Sequence, residues 1–343
     1  MRSNSLESKK TVFDAAVIVE IGGNHEGDVA YAYKLVDSAI AVGAKNIKLQ
    51  SYTGPSLVNH QVAPERAKHF ERFALPYDDQ VKIAKYVLGK GASFMSSLWD
   101  KESFEVLDPY IDIHKVGSGD LTNFQMIRRF CETNKPLILS TAMSDIALIR
   151  KTVDFIRHHY PFYTDPNQLA LLQCVAMYGD LEDRYANLNA ISDLRAEFPD
   201  LVVGYSDHTL GVVASIMAIG KGAGVIEVHF TDDKNREFRD HHLSVVGEEL
   251  RLLIEASDRA TNLNGVGLKN IVHDVETPHR IREFRRACYL NSDVTPGQII
   301  QAQDIICLRP NIGIDASESL KLEGHVARTH IAALSPLEWE MFE

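Results

Sequence analysis

Two histidines could do chemistry together, because each stands near the end of a short apolar segment. His208 lies in VVGYSDHTLG (202–211), and His229 lies in VIEVHFT (225–231). If the two segments are neighbouring parallel strands, roughly 5 Å apart, both imidazoles emerge at one edge of the sheet and can share a divalent metal ion. This edge is therefore the predicted active site. Its polar neighbours in sequence are Ser206, Asp207 and Glu227.

Other polar residues stand where apolar segments end. Lys48 and Gln50 are two positions apart, as are Glu227 and His229, so each pair points to one face of its strand. Lys48 lies inside an apolar segment, where an unpaired cation is costly. We therefore expect these residues to line the same edge as the histidines. The further members of this set are Glu20, Ser96, Ser97, Lys115, Ser118 and Ser140.

Eight apolar segments that alternate with helical patterns must position these residues. The strand candidates are residues 15–22, 46–52, 93–98, 111–118, 136–142, 169–176, 201–208 and 225–231. Between the first two, residues 29–43 keep apolar side chains at helical spacing and end on Gly43. Repeated βα units predict an α/β fold with a parallel sheet. Eight of them favour a TIM (β/α)8 barrel, whose chemistry lies at the carboxyl ends of its strands; an open doubly wound sheet is the alternative.

Composition excludes several classes of protein. The chain has 343 residues, of which 45% are hydrophobic and 24% charged, values typical of a globular protein with a sizeable core. Its net charge of −11 argues against general binding to nucleic acid or to a membrane surface, because both need clustered Lys and Arg. An anionic small molecule would need a locally basic pocket.

Cysteine usage and the N-terminus favour a cytoplasmic protein. The four cysteines lack CxxC spacing, which argues against a zinc ribbon or a disulfide scaffold and for reduced thiols. The N-terminal MRSNSLESKKTVFD is polar, and no apolar run approaches the length of a membrane span.

The chain is expected to contain two domains. A polar tail over residues 1–14 precedes the barrel (15–263), and a glycine-containing linker (264–283) leads to a small, mostly β domain (284–343). About sixty residues is near the lower limit for independent folding. We therefore expect the second domain to dock on a partner surface.

The order of the motifs resembles the sialic acid synthase family from about residue 16 to the end. The motifs are AVIVEIGGNHEGD, IKLQSY, HKVGSGDLTN, LILSTAM, VVGYSDHTLG, IEVHFTDDKNREFRDHHLS and the C-terminal LRPNIGI. This resemblance implies a TIM barrel joined to an antifreeze-like (SAF) domain. It also implies condensation of phosphoenolpyruvate with an N-acylmannosamine-type aldose, which gives a 3-deoxy-2-keto acid and releases phosphate by C–O cleavage.

The resemblance assigns roles to the strand-end residues. Those that would hold phosphoenolpyruvate are Lys48, Lys115, Ser118, Ser140 and Ser206. Ammonium groups make charge-assisted hydrogen bonds to phosphate, although a buried serine can simply bond to a backbone group. His208 and His229 match the family's metal ligands, with manganese expected and magnesium or cobalt as alternatives. Substrate and water would complete the shell of a cation that polarises the aldehyde or activates water.

The carboxylates and the sugar-side residues follow from the same resemblance. Glu20 and Asp240 would handle protons or sugar hydroxyls, while Glu227 would orient a ligand unless it is a structural ion pair. The sugar contacts would be Gln50, Asp120 and Tyr178, and the residues that shape the first loop would be Asn24 and His25.

The resemblance implies that an arginine of the second domain reaches the sugar of a partner subunit. The best match is Arg309 in LRPNIGI, with a role in stabilising the turn before Pro310 as the alternative. The first assignment implies a domain-swapped homodimer.

Three stretches of the chain depart from the family pattern. Ala176 stands where a phosphate-binding asparagine is expected, and REFRD, with Arg239, replaces a Gly-Pro-Asp type turn. The segment TGPSLVNHQVAPERAKHFERFAL (53–75) is unusual, and the sugar-side asparagine expected there cannot be placed. These changes suggest an acceptor other than N-acetylmannosamine, for example a modified or deoxy amino sugar as for legionaminic or pseudaminic acid.

Other functions remain as alternatives. Ala176 favours a catalytically weakened relative that binds a sugar or phosphoester as a sensor. The two histidines and nearby acids also fit a metal-dependent barrel hydrolase, although the first segment, VEIGGNH, lacks the HxH pair common in such barrels. An ice-binding role is disfavoured, because KLEGHVAR is charged and offers no flat repeating face.

Overall fold

The protein is described from a computed structural model that covers Phe13 and residues 16–178, 182–265 and 267–343. It divides into two compact units, residues 1–265 and 266–343. No helix within the described residues is both long and apolar enough to cross a membrane.

The first unit is built on a single sheet of eight parallel strands. They are β1 (Ala16–Gly22), β2 (Asn46–Ser51), β3 (Ser93–Leu98), β4 (His114–Val116), β5 (Leu137–Ser140), β6 (Leu169–Cys174), β7 (Val202–Asp207) and β8 (Val225–His229). Their order is β3-β2-β1-β8-β7-β6-β5-β4, and a parallel bridge between Phe94 and Ile111 links β3 to the segment before β4. Sequential neighbours around a ring confirm the TIM barrel, and the doubly wound alternative is wrong.

Helices follow the strands and cover the outside of the sheet. They are α1 (Val29–Ala41), α2 (Gly54–Leu57), α3 (Pro64–Phe73), α4 (Tyr77–Gly89), α5 (Lys101–Leu107), α6 (Phe124–Cys131), α7 (Ile146–His159), α8 (Ala190–Glu197), α9 (Val213–Gly220) and α10 (Gly247–Asn264). The Asp28 carboxylate accepts hydrogen bonds from two backbone N–H groups at the start of α1, which satisfies donors that have no partner inside the helix. The helix predicted over 29–43 is confirmed, two residues shorter.

Successive side chains along a barrel strand point alternately to the outside and the inside of the sheet, so the outer core and the interior are lined by different residues. Outward-facing residues such as Val19 and Leu139 join the main core between sheet and helices. Inward-facing residues form a separate apolar layer that includes Ile18, Ile138 and Val225. In five of the strands, the inward-facing residue two positions beyond a member of this layer is polar. These next residues are Glu20, Ser97, Ser140, Cys174 and Glu227, so the barrel interior changes from apolar to polar toward its carboxyl end.

The second unit has its own small core around a two-stranded antiparallel sheet. Its elements are α11 (Pro278–Phe284), β9 (Ala287–Leu290), β10 (Ile305–Leu308) and α12 (Ser319–Leu322). The core includes Leu290, Ile300 and Leu337. The predicted linker is partly helical, since α11 begins at Pro278, where proline is tolerated in the first turn.

Candidate active site

A cavity of about 760 Å³ opens at the carboxyl ends of the barrel strands. Each of the eight barrel strands contributes at least one side chain to its lining. Thirteen of the predicted site residues lie there: Glu20, Lys48, Gln50, Lys115, Ser118, Asp120, Ser140, Tyr178, Ser206, His208, Glu227, His229 and Asp240. Arg309 belongs to the second unit instead, where it is exposed and its guanidinium lies 5.5 Å from the ring centre of Phe284.

Two lysines and two glutamates form a buried lysine–glutamate cluster at the base of the cavity. Glu227 lies between the lysines, with Oε1 3.3 Å from Lys48 Nζ and Oε2 3.0 Å from Lys115 Nζ. The Lys48 ammonium also contacts the Glu20 carboxylate, and none of the four side chains is more than 6% exposed. Glu20 Oε1 has no hydrogen-bond partner among the described residues. Glu227 therefore forms ion pairs, as in the alternative considered from the sequence, and these ion pairs with Lys48 and Lys115 line the cavity.

The charges of this cluster stabilise one another. Burial alone would raise the pKa of Glu227, but the neighbouring Lys115 and Lys48 lower it well below its usual range, so it is a carboxylate at neutral pH. Burial lowers the pKa of Lys48 to about 8, against the raising effect of Glu227 and with the repulsion of Lys115. The charge of Lys48 therefore changes in the mildly alkaline range.

The two histidines face each other across the rim. Their ring centres are 5.4 Å apart at an interplanar angle of 45°. His208 Nδ1 lies 3.1 Å from the Val175 carbonyl oxygen, so this nitrogen donates and Nε2 is left as the ligating atom. His229 Nδ1 is buried without a hydrogen-bond partner among the described residues, 3.5 Å from Asp240 Oδ2.

These rings fit a divalent cation only with help from other ligands. Burial lowers the pKa of His229 to about 4, which leaves a lone pair free. For His208, burial acts in the same direction, but Cys174 and Glu227 raise its pKa to about 9, so binding a cation there would release a proton. No group of three or more His, Cys, Asp or Glu side chains with metal-binding geometry occurs in the described part of the chain.

The three serines differ in what they already bind. Ser206 Oγ donates to Glu227 Oε2 at 2.8 Å, and Ser118 Oγ accepts from the backbone N–H of Ala142 at 3.0 Å. The backbone role considered from the sequence therefore describes Ser118. Ser140 Oγ is buried and has no partner among the described residues, so it is the hydroxyl with unused capacity for a ligand.

The loops position the remaining acids. Asp120 accepts from the Trp99 indole N–H at 2.6 Å, and its pKa is raised by burial. The Asn24 side chain accepts from the backbone N–H of Asp240 at 3.1 Å and donates to the Phe230 carbonyl. Asn24 thus holds the loop after β8 against the loop after β1, as the first-loop role implies.

Several lining residues were missed from the sequence. Cys174 ends β6 and lies in the cavity, a position that the strand-end rule identifies. The sequence did not assign the sugar-side asparagine expected in residues 53–75; Asn59 of this segment, between α2 and α3, lines the cavity. Arg66 and Phe70 also line the cavity, and their spacing of four on α3 puts them on one helix face.

Comparisons with known proteins agree along the whole chain. The NeuB family matches residues 35–269, and the SAF domain matches residues 285–343. The N,N'-diacetyllegionaminic acid synthase of Legionella pneumophila is 33% identical over 99% of this chain and 98% of that protein. The pseudaminic acid synthase of Campylobacter jejuni is 28% identical over 96% of each. Among solved structures, the N-acetylneuraminic acid synthetase of Leptospira borgpetersenii superposes with a TM-score of 0.69 and 25% identity, covering 77% of this chain and 90% of that chain.

Proposed function

The chain belongs to the NeuB family, and we propose that it is a nonulosonic acid synthase. It condenses phosphoenolpyruvate with an amino aldose, forms a 3-deoxy-2-keto acid and releases phosphate. The observation that carries this proposal is the lysine–glutamate cluster, which shares one cavity with the facing histidines and the free Ser140 hydroxyl. The relatives named as legionaminic and pseudaminic acid synthases align over nearly the full length of the chain.

The reaction joins a carbon nucleophile to an aldehyde. C3 of phosphoenolpyruvate bonds to the aldehyde carbon, whose oxygen takes up a proton. Water adds to C2 and loses one proton, which leaves a hydroxyl on C2. This hydroxyl loses its proton as the bond from C2 to the bridging oxygen breaks, so that phosphate leaves and a keto group remains. Each step changes charge at an oxygen, and preorganised charged groups in a buried site stabilise such changes.

The chain's own residues bind and orient the first substrate. The ammonium groups of Lys48 and Lys115 are buried and lie about the same carboxylate, so they can bind the phosphate and carboxylate of phosphoenolpyruvate together. Ser140 supplies a further hydrogen bond. The Glu20 carboxylate has an oxygen without a partner among the described residues, and we assign it the proton of the attacking water.

The acceptor sugar lies against the loop residues in this proposal. Asp240 and Asp120 accept hydrogen bonds from sugar hydroxyls, and Gln50 and Tyr178 complete this side of the cavity. His208 and His229 would hold a divalent cation, manganese in our expectation, and that ion would supply positive charge to polarise the aldehyde.

Turnover with labelled substrate tests the function. Purified protein with Mn²⁺, phosphoenolpyruvate carrying ¹⁸O at its bridging oxygen, and a panel of amino aldoses should release phosphate that contains the label. Mass spectrometry should detect the matching 3-deoxy-2-keto acid. Failure to release phosphate with every aldose would contradict the proposal. Binding of phosphoenolpyruvate without turnover would instead favour the sensor alternative. Ala176, which lines the cavity, is the residue that suggests this alternative.

Metal dependence is tested separately. Dialysis against a chelator should abolish turnover, and Mn²⁺ should restore it in the native protein. His208→Gln and His229→Gln should each reduce turnover at limiting Mn²⁺ by about a hundredfold, since a catalytic cation contributes several kcal/mol. Metal content of the three proteins after desalting provides a readout independent of activity. Equal Mn²⁺ content and equal turnover in all three would remove the histidines from the metal site.

We further propose a domain-swapped homodimer in which Arg309 reaches the sugar in the partner's cavity. Subunits carrying Lys115→Met and subunits carrying Arg309→Ala should each be inactive alone. After mixing and subunit exchange, a swapped dimer contains one intact barrel that receives an intact Arg309, so activity returns. If Arg309 serves its own barrel, no mixed dimer has an intact site and activity stays absent.

A further inference from the structure

Arg239 is held against the cavity wall in an unfavourable backbone conformation. Its φ is 58°, a left-handed value that is uncommon for residues other than glycine and costs of order 1 kcal/mol. Its guanidinium lies 5.4 Å from the ring centres of both Phe70 and Phe73. A Cβ on Gly23 would lie only 3.1 Å from Arg239 Cζ and closer still to Nε, so the lack of a side chain there makes room for the guanidinium.

A second guanidinium shares the same ring. Arg66 Cζ lies 5.8 Å from the ring centre of Phe70, and both arginines line the cavity. We call Arg66, Phe70 and Arg239 the arginine wall. Two cations that flank one ring repel each other unless an anion lies near both.

Neither arginine has a carboxylate partner among the described residues. Arg239 donates from Nη1 to His69 Nε2 at 3.2 Å, and its Nε is buried without a hydrogen-bond partner in the described chain. An arginine presents five donors in a planar fork suited to carboxylate and phosphate oxygens. Most of that capacity is unused here, whereas Lys48 and Lys115 are each paired with glutamate.

The arginine wall lies outside the strand ends. Arg66 and Phe70 are on α3, and Arg239 is in the segment between β8 and α10, beside Asp240, which also lines the cavity. The lysine–glutamate cluster, in contrast, is on the strands themselves. A ligand group at the arginine wall is therefore separated from the groups assigned to phosphoenolpyruvate and falls on the side assigned to the acceptor.

We propose that Arg66 and Arg239 form an anion subsite, and that the acceptor aldose carries a phosphate or carboxylate group that binds there. This inference rests on the proposed synthase function and specifies its substrate class. Charge-assisted hydrogen bonds to the fork of Arg239 hold the anionic group, and the strained backbone directs the side chain toward it.

A matched set of acceptors tests the subsite. The acceptors are N-acetylmannosamine, its 6-phosphate and its 6-carboxylate, each with phosphoenolpyruvate and Mn²⁺. An anionic acceptor should have a kcat/KM about 10- to 100-fold above that of the neutral sugar, and the ratio should fall with added salt. Whichever anion gives the larger ratio identifies the group. Equal kcat/KM for all three acceptors would overturn the subsite and leave the synthase function intact.

Variants separate recognition from folding. Arg239→Gly adopts the left-handed φ without strain, so its fold should persist, and together with Arg66→Ala it should lower kcat/KM for the anionic acceptors to the value for the neutral sugar. Arg72→Ala is the matched control, because Arg72 lies on the same helix, stacks on Phe73 at 5.4 Å and is outside the cavity lining. It should keep the preference. Equal losses with charged and neutral sugars in Arg239→Gly would refute the anion subsite.

Binding without turnover keeps the two proposals distinguishable. Calorimetric titration of the aldose 6-phosphate in the absence of phosphoenolpyruvate should give a Kd at least about tenfold weaker for Arg239→Gly than for the native protein. If no aldose is turned over but this difference holds, the synthase function fails and the anion subsite stands as a binding site. If the Kd is unchanged, the subsite fails.

Discussion

The two walls of the cavity handle charge in opposite ways. In the lysine–glutamate cluster every ammonium lies against a carboxylate, and all four side chains are buried on strands. On the arginine wall the guanidinium groups stack on Phe70 and have no carboxylate partner among the described residues. The lysine–glutamate cluster, which we call the inner wall, must contain its own counterions because desolvated charges are costly without them. The arginine wall, which we also call the outer wall, is nearer to water, so its charges can stay unpaired until a ligand binds.

The two walls also differ in how freely their residues can vary between members of the family. Strand residues are held by backbone hydrogen bonds on both sides, so the groups for a common substrate lie at reproducible positions. Helix α3 and the loop after β8 are surface segments whose length and composition can change without disturbing the barrel. Two of the three departures that the resemblance indicates, Arg239 and residues 53–75, fall on this outer wall, whereas Ala176 follows β6.

Loss of an inner-wall lysine should have the largest effect. Lys115→Met leaves the Glu227 carboxylate with one ammonium fewer, which should cost about 3–5 kcal/mol in the free energy of unfolding and lower kcat about 10²- to 10³-fold. Denaturant unfolding and steady-state kinetics measure the two effects. Adding Glu227→Gln should recover much of the stability and none of the activity. If Lys115→Met is as stable as the native protein, the charges on this wall are not interdependent.

The activity should fall at alkaline pH because Lys48 loses its charge there, and we call this fall the alkaline limb of the pH profile. Its neighbours from other strands are Glu20, Lys115 and Glu227, and its pKa of about 8 lies below the value of 10.5 for a free lysine. kcat/KM for phosphoenolpyruvate should therefore fall above pH 8, by about tenfold at pH 9.

The stability of the fold should change in the opposite direction over this range. Between pH 8 and 10.5 the unfolded chain binds more protons at Lys48 than the native protein does, so the contribution of this group to stability rises with pH. A Tm that holds while activity falls identifies deprotonation as the cause. Lys48→Arg should move the limb to higher pH, and an unchanged limb in that variant would assign it to another group.

A methyl group at Gly23 should disturb only the outer wall. The new Cβ would displace the Arg239 side chain, so kcat/KM for an anionic acceptor should fall about tenfold, the loss of a charge-assisted hydrogen bond. The neutral acceptor should be unaffected. In an Arg239→Gly background the same Gly23→Ala change should have no further effect, because the interaction is already absent. Additive losses would show that Gly23 acts independently of Arg239.

The smallest expected effect is a gain in stability on the outer wall. Arg239→Gly relieves a left-handed φ of 58°, which should raise the free energy of unfolding by about 1 kcal/mol, less the entropy gained by the unfolded chain. Denaturant unfolding measures it against native protein. A loss of several kcal/mol, like that at Lys115, would mean that the arginine wall supports the fold as the inner wall does.

The sequence predicts correctly those features that depend on the spacing of neighbouring residues, because that spacing determines the direction in which each side chain points. All eight strand candidates are strands, and no strand end lies more than three residues inside the predicted end. The candidate 93–98 matches its strand at both ends, whereas 111–118 is reduced to His114–Val116. Alternation along a strand fixes which residues face inward, so the sequence alone predicts that Lys48, Glu227 and His229 lie at one edge. The sequence did not reveal that Glu227 joins both lysines, because that contact depends on the distance between β2, β4 and β8 across the barrel.

For a related reason, the sequence does not predict that the two arginines of the outer wall lie together. Arg66 and Arg239 are far apart in the chain and lie on different elements, so no local spacing relates them. Within residues 53–75, Pro64 at the start of α3 and the four-residue spacing of Arg66 and Phe70 are helical signals, but they do not indicate that this helix lies against the loop after β8.

The sequence by itself determined the barrel, the polar strand ends and the identity of the groups that face inward, because hydrophobic period and strand polarity are properties of consecutive residues. Only the tertiary structure decided which charges are paired and which are left for a ligand. Pairing depends on distances of a few ångströms between side chains brought together by closure of the sheet, and Coulomb energies and desolvation change steeply over such distances.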